Sequence, residues 1–149
     1  MEVGKVLKWN NYPYGKFEGK TKPRWFVCIN HTGKIHKLLG FSFSLYISTT
    51  TTREAWLEEG DYYSFLPENF LPEKFPFEEK CHINYNEIPE CVEEEKIINN
   101  PDIEIKGELD GLTMVQIIKG LIKSDLISDR IKDDPKRFLD EIQHKLDRL

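Results

Sequence analysis

Alternating residues between positions 41 and 48 constrain the fold of this chain more than any other part of its sequence. Two sets alternate there, the apolar Phe41, Phe43, Leu45 and Ile47 and the hydroxyl-rich Ser42, Ser44, Tyr46 and Ser48. A period of two is typical of a β-strand, and it predicts one buried face and one hydroxyl-rich face. Because Thr49 to Thr52 follow directly, the strand is predicted to end in a cluster of hydroxyls.

Four further segments have the composition of short strands. They are Val3–Trp9, Arg24–Ile29, Tyr62–Phe65 and Cys81–Tyr85. Arg24–Ile29 is almost continuously apolar, as expected of a strand that is buried on both faces. Prolines separate the later strands, and several short strands at this spacing predict a small β-barrel.

Near residue 107 the periodicity changes from two to about 3.6 residues, the period of an α-helix. Leu112, Val115, Ile118 or Lys119, and Ile122 recur at helical spacing. A second helix is predicted to start at Asp134-Pro135, with an apolar stripe of Phe138, Leu139, Ile142, Leu146 and Leu149. Both stripes predict helices that pack on the barrel or on a second subunit.

The length of the chain and its large apolar residues indicate one folded domain. It has 149 residues, with 9 Phe, 3 Trp and 6 Tyr, too many apolar anchors for a disordered protein. The predicted fold class is α+β, a single domain over residues 1–149. The β-barrel occupies about 1–106 and the C-terminal helices about 107–149.

Positive charge is concentrated at the amino terminus of an acidic chain. Residues 1–37 carry eight Lys and Arg against two Glu, a net charge of +6, whereas the whole chain has a net charge of -5. Much of the excess lies in or beside Asn10–Lys22, which contains Pro13, Gly15 and Gly19 and is predicted to be a flexible surface loop. From charge alone, solvated surface lysines are the simpler explanation, and a face that binds a polyanion is the alternative.

The sequence carries no recognisable targeting, membrane or metal-binding pattern. No apolar segment follows the first residues, and Leu112–Ile122 is too short to cross a bilayer, so we expect a cytoplasmic protein with no membrane contact. Cys28, Cys81 and Cys91 lack C-x-x-C spacing, and the pair Cys81–His82 has no matching pair elsewhere. We therefore expect buried, reduced thiols, no metal and no cofactor.

Cations, rings and hydroxyls are the groups that remain for a functional site. Basic and aromatic residues are interleaved near the amino terminus, at Tyr12, Tyr14, Lys16, Phe17, Lys20, Lys22, Arg24 and Trp25. The cations attract phosphate, and the rings stack on nucleic-acid bases. If this strand pairs with the one that ends at Ser48, cations and hydroxyls surround one phosphate. Such a site cleaves RNA without a metal, because the 2′-hydroxyl of the substrate attacks the adjacent phosphorus.

Several small motifs also follow one another in a characteristic order. They are Gly4-Lys5-Val6-Leu7, Tyr12-Pro13-Tyr14, Lys22-Pro23 before the apolar strand, Ser48-Thr49-Thr50, Gly107-Glu108-Leu109 and Lys123-Ser124-Asp125. This order, which extends over most of the chain, resembles that of the PemK/MazF toxins. The resemblance implies an SH3-like barrel with added helices, commonly a homodimer. It also implies a metal-independent endoribonuclease that cleaves single-stranded RNA and is inhibited by an antitoxin protein.

The resemblance further implies roles for individual residues. Arg24 and Lys22 stabilise the charge of the transition state, and one of them donates a proton to the leaving 5′-oxygen. The family has an arginine directly before the proline, where this chain has Lys22. The family's hydroxyl residue corresponds to the stretch Ser48–Thr50, where Thr49 is the first choice and Thr50 the alternative, and Thr49 or Ser48 is expected to hold a phosphate oxygen. Five residues are expected to bind RNA, namely Tyr14, Lys16, Phe17, Lys20 and Thr50.

Two other interpretations remain open. The same barrel is suited to bind nucleic acid or a protein segment without catalysis, because Lys22 cannot reproduce the bidentate contact of an arginine with phosphate. The acidic segment Glu87–Glu95 either recruits a basic partner protein or folds over the basic face as a mask. A solvated charged surface is the simpler explanation of that segment.

Overall fold

The computed structural model describes residues 3–17, 20–31, 43–51, 62–85 and 90–123. Seven strands and two α-helices lie within these ranges. They are β1 (Lys5–Phe17), β2 (Lys20–His31), β3 (Phe43–Thr50), β4 (Tyr62–Phe65), β5 (Cys81–Asn84), β6 (Glu90–Glu93), α1 (Glu94–Ile98), β7 (Ile103–Glu108) and α2 (Gly111–Ile122). Two 3₁₀ turns, Pro67–Asn69 and Pro72–Lys74, connect β4 to β5. The helix predicted after Pro135 lies outside the described residues.

All seven described strands belong to one antiparallel sheet in the order β4-β5-β3-β2-β1-β7, with β6 beside β3. One edge of β3 pairs with β2, and the other edge pairs first with β6 and then, at Thr49 and Thr50, with β5. The α+β class predicted from the sequence is confirmed in this form. The sheet is barrel-like, but its described strands do not close, because β4 and β7 stand at the two ends of the order.

One face of the sheet, here called the helix face, packs against α2 and forms the larger core. Its buried side chains include Val6, Val27, Ile29, Ile47, Phe65 and Ile83 from the strands, and Met114, Ile117, Ile118 and Leu121 from the helix. The side chain of Asp110 begins α2 by accepting hydrogen bonds from the backbone N–H of Thr113, at 2.8 Å, and from its hydroxyl.

The register of α2 differs from the predicted stripe. Leu112, which was expected to pack on the core, is 63% exposed, whereas Met114 and Leu121 are buried. The predicted stripe is therefore wrong at Leu112, whereas Ile118 is buried and Ile122 packs against the core, as expected. The buried set follows the pattern i, i+3, i+4, i+7 from Met114, which is equally helical.

The opposite face, here called the aromatic face, forms a second and smaller core. It consists of Leu7, Trp9, Tyr12, Phe26, Cys28, Tyr46 and Ile97. The ring of Tyr12 lies 5.1 Å from that of Trp9 and 5.3 Å from that of Phe26. Cys28 is completely buried in this cluster, as predicted, and β2 is therefore buried on both faces, since Val27 and Ile29 belong to the helix face.

The predicted loop Asn10–Lys22 is instead largely β-structure, because β1 and β2 extend far into it. Trp9 pairs with Arg24 and Tyr12 with Lys22, so β1 contains one extra residue between these pairs. Asn11 accommodates it with a left-handed backbone (φ 56°), a conformation that asparagine tolerates well. The bulge places Trp9 and Tyr12 on the same face, where their burial stabilises the extended hairpin.

Candidate nucleic-acid interface

Arg24 lies on the aromatic face, near the point where β2 meets the end of β3. Its Nη2 donates a hydrogen bond to the Oγ of Ser48 at 3.2 Å. Its guanidinium carbon lies 5.5 Å from the centre of the Tyr12 ring, within the range of a cation–π contact. The cation and the hydroxyl that the sequence predicted to be neighbours are therefore in direct contact.

The strand register explains this contact. Phe26 is paired with Ser48, and successive side chains of a strand point to opposite faces. Arg24 lies two residues before Phe26, so its side chain points to the same face of the sheet as those of Phe26 and Ser48. The bulge at Asn11 supplies the third member, because it brings Tyr12 beneath the guanidinium group.

Ser48 is buried, with 7% of its surface exposed, whereas Arg24 is of intermediate exposure. The serine hydroxyl is thus covered and accepts a hydrogen bond from the arginine. In this arrangement Ser48 orients Arg24, and a ligand approaching from solvent meets the guanidinium group first. Sequence reasoning assigned both residues to direct phosphate contact, and the structure separates their positions.

Thr49, the first choice among the hydroxyls, lies on the helix face. It pairs with Ile83 and hydrogen bonds with the thiol of Cys81. Burial of that thiol raises its pKa to about 12, and the hydrogen bond with Thr49, which lowers the pKa, is the smaller effect. The expectation that Thr49 stands beside Arg24 is therefore wrong in geometry. Thr50 returns to the face of Ser48 and pairs with His82 of β5.

Lys22 is exposed and shares the face of Arg24, as the alternation predicted. It is paired with Tyr12, and Arg24, two residues further along β2, is paired with Trp9. The backbones of the remaining predicted RNA-binding residues lie at the end of the β1–β2 hairpin, at Tyr14, Lys16, Phe17 and Lys20.

Two polar features of this face were missed by sequence reasoning. The first is a buried contact in which the Ser44 hydroxyl donates to the Glu94 carboxyl at 2.5 Å. Glu94 belongs to the acidic segment that was interpreted as a solvated surface, yet it is only 8% exposed. The second is His82, which is 2% exposed and was considered only as a neighbour of Cys81. Alternation within Cys81–Asn84 was the available signal, because Ile83 is a core residue and His82 must face the other way.

The described ranges contain no group of three or more His, Cys, Asp or Glu side chains placed to hold a metal ion. In the same ranges no helix is long and apolar enough to cross a membrane. The sequence matches no protein-family model and none of the curated proteins.

Proposed function

We propose that this protein is a PemK/MazF-like endoribonuclease that cleaves single-stranded RNA without a metal ion. The observation that carries the proposal is the contact between Arg24 and Ser48 on one face of the sheet. The sequence pattern led us to expect a cation and a hydroxyl from these two strands at one site. The proposal includes the finer fold assignment, an SH3-like barrel, because the antiparallel order supports that class of fold.

The chemistry assigned to the site follows from the properties of each group. The 2′-hydroxyl of the substrate attacks its own phosphorus, and negative charge develops on the phosphate oxygens. Arg24 stabilises that charge through N–H donors beyond the one held by Ser48, since a guanidinium group has five. Arginine keeps its proton in proteins, so Lys22 is the better candidate to protonate the leaving 5′-oxygen.

A second candidate function is RNA binding without cleavage. The burial of Ser48 favours it, because a covered hydroxyl cannot also hold a phosphate oxygen without movement of Arg24. Lys22 also favours RNA binding without cleavage, because its single ammonium group cannot make the planar bidentate contact of a guanidinium group with phosphate. Binding that weakens steeply with salt and yields no products would identify this function.

The partners proposed for the protein come from the same resemblance. They are single-stranded RNA, an antitoxin protein and a second copy of the chain, with the cytoplasm as the location. The buried hydrogen bond between Ser44 and Glu94 argues against the hypothesis that Glu87–Glu95 folds over the basic face as a mask. A small acidic open reading frame overlapping the start of this gene would support the assignment of an antitoxin.

Cleavage of long single-stranded RNA in EDTA tests the proposal. We expect cleavage by the wild type and a loss of about 10²–10³-fold in rate for Arg24→Ala, the usual effect of removing one donor that stabilises transition-state charge. Arg24→Lys should recover little of this loss, because an ammonium group lacks the planar pair of parallel donors of a guanidinium group. The exposed Lys119 of α2 provides the matched control, and Lys119→Ala should leave the rate unchanged.

Absence of cleavage by folded wild-type protein would contradict the endoribonuclease, and salt-dependent binding under the same conditions would select the second candidate. Equal rates for the wild type and Arg24→Ala would remove Arg24 from the site. Both measurements require a thermal melt of each variant, so that a loss of fold is not mistaken for a loss of chemistry.

A further inference from the structure

A row of polar side chains crosses the aromatic face at right angles to its strands. Thr50 of β3 pairs with His82 of β5, which in turn pairs with Ser64 of β4. Thr50, His82 and Ser64 therefore form a row across three neighbouring strands. The pairing of β2 with β3 ends at Phe26 and Ser48, and the side chain of Arg24 contacts Ser48, two residues before Thr50 on the same face.

The spacing of this row suits a single phosphodiester group. Adjacent strands lie about 4.8 Å apart, so one strand spacing separates the backbones of Thr50 and His82, and the Arg24–Ser48 contact lies two residues along β3 from Thr50. Directly paired side chains have Cβ atoms about 5 Å apart, which allows Thr50 and His82 to interact. His82 is nearly inaccessible, and Thr50 is of intermediate exposure. A ligand held by Arg24 thus reaches Thr50 before it reaches the imidazole.

The proposed reaction needs a group of this kind. Attack by a 2′-hydroxyl requires that its proton be taken up, and neither Arg24 nor a protonated Lys22 can accept it. Histidine is the side chain whose ordinary pKa lies closest to neutrality. Among the residues whose side chains the structure describes, His82 is the one imidazole.

We propose that His82 is a positioning residue of the RNA-cleaving site, acting as the final proton acceptor through the hydroxyl of Thr50. This inference rests on the proposed function. The 2′-oxygen forms a bond to phosphorus as its proton passes to Thr50 Oγ1, while the threonine proton passes to a ring nitrogen of His82. The bond from phosphorus to the 5′-oxygen breaks, and that oxygen takes a proton from Lys22. The products are a 2′,3′-cyclic phosphate and a 5′-hydroxyl.

Several titratable or charged groups surround His82 in the described part of the molecule. On β4 the ring of Tyr62 lies 6.0 Å from the imidazole, edge to face. On β2 the cations are Lys22 and Arg24, and next to β5 stands the exposed Lys80. The stretch of β3 opposite His82 contributes hydroxyls only. The neutral imidazole is the form that accepts a proton.

The rate of RNA cleavage in EDTA, measured from pH 5 to 9, tests this role. We expect the wild-type rate to rise with pH, because only the neutral imidazole can accept the proton. His82→Gln should lower the rate by about 10²–10⁴-fold at pH 7.5 and abolish this pH-dependent rise, the typical contribution of a positioned base. Thr50→Val keeps the shape of threonine and should have the same two effects on the rate and its pH dependence. It keeps the test valid if the buried glutamine of His82→Gln prevents folding.

The outcomes separate the two proposals. If Thr50→Val, or a folded His82→Gln, cleaves with the wild-type rate and pH profile, the role of His82 is overturned while the endoribonuclease stands. If both variants lose activity in proportion to their loss of folded protein, without a changed pH profile, His82 is structural and the role is again overturned. Absence of cleavage by the wild type overturns both.

Discussion

The two faces of the sheet bury different kinds of side chain. The helix face is almost entirely apolar, whereas polar groups are interior residues of the aromatic face. Of the five buried polar or charged residues in the described ranges, one, Thr113, belongs to α2. The other four are Ser44, Ser48, His82 and Glu94, on or beside the strands of the aromatic face.

This difference indicates that the two faces have different roles. Burying a hydroxyl, an imidazole or a carboxyl costs free energy unless each is hydrogen bonded, so a face that only stabilised the fold would not need them. The helix face supplies most of the apolar burial. The aromatic face tolerates polar groups around Arg24, and departures from simple core packing of this kind tend to mark functional sites.

The largest effect on stability is expected from the helix face. Phe65 is completely buried and lies 4.7 Å from Phe77 and 5.1 Å from Tyr63, ring to ring. Phe65→Ala should lower the free energy of unfolding by about 3–5 kcal/mol, measured by urea denaturation. Leu71→Ala, at a residue 63% exposed, is the control and should change it by less than about 0.5 kcal/mol. A small effect at Phe65 would mean that this face is not the main source of stability.

A second test of the helix face uses the contact between Gly120 and Tyr85. A Cβ at position 120 would collide with the Tyr85 ring, which packs against the helix backbone there. Gly120→Ala should therefore destabilise the protein by about 1–3 kcal/mol, in contrast to the gain of up to about 1 kcal/mol usual for this change within a helix. Thermal denaturation measures the sign. Stabilisation by Gly120→Ala would show that Tyr85 is not packed as described.

On the aromatic face the comparable test removes a polar contact. Ser44→Ala deletes the donor to Glu94 and leaves a buried carboxyl without that bond, so we expect a loss of about 1–3 kcal/mol in the free energy of unfolding. Thr51→Ala, at an exposed hydroxyl just after β3, should be close to neutral. If Ser44→Ala were neutral as well, the polar groups of this face would not be integrated into the core.

The sequence predicted β3, β4, β5 and α2, whose periodicity or apolar composition is clear. It also predicted strands at Val3–Trp9 and Arg24–Ile29, which lie within β1 and β2, but it failed for the hairpin between them, because Asn10, Asn11 and Pro13 resemble a loop and only the bulge makes them compatible with a strand. It did not reveal β6, which is mainly polar, or β7, where the alternation is limited to Ile103–Lys106 and Ile105 is exposed, so their pairing depends on neighbouring strands.

The candidate site was predictable in part. The neighbouring positions of Arg24 and Ser48 followed from the motifs, and strict alternation from Ile47 would have placed Thr49 on the helix face. The contribution of Tyr12 was not predictable, since it depends on a backbone angle at Asn11. The row that includes His82 depends on the pairing of His82 with Ser64, 18 residues before it, and with Thr50, 32 residues before it, which no local pattern encodes.

The smallest effect is expected where polar contacts are exposed, at the edge formed by β7. A hydrogen bond from Asn10 Nδ2, at 2.9 Å, and the nearby Lys106 hold the pKa of Glu104 below its ordinary value. A depressed carboxyl pKa adds stability above the unfolded-state pKa, and this is lost as the pH falls through the folded-state pKa. Because the side chain is exposed, solvent screens the contribution.

Titration of Glu104 by NMR measures this shift. Asn10→Ala should raise its pKa more than Lys106→Ala does, because the hydrogen bond is the larger cause. Neither variant should alter unfolding as much as Ser44→Ala, since the carboxyl of Glu104 stays hydrated and that of Glu94 does not. If Asn10→Ala or Lys106→Ala lowered the free energy of unfolding as much as Ser44→Ala, burial would not determine the cost of losing a polar contact. The contrast between the two faces would then lose its physical basis.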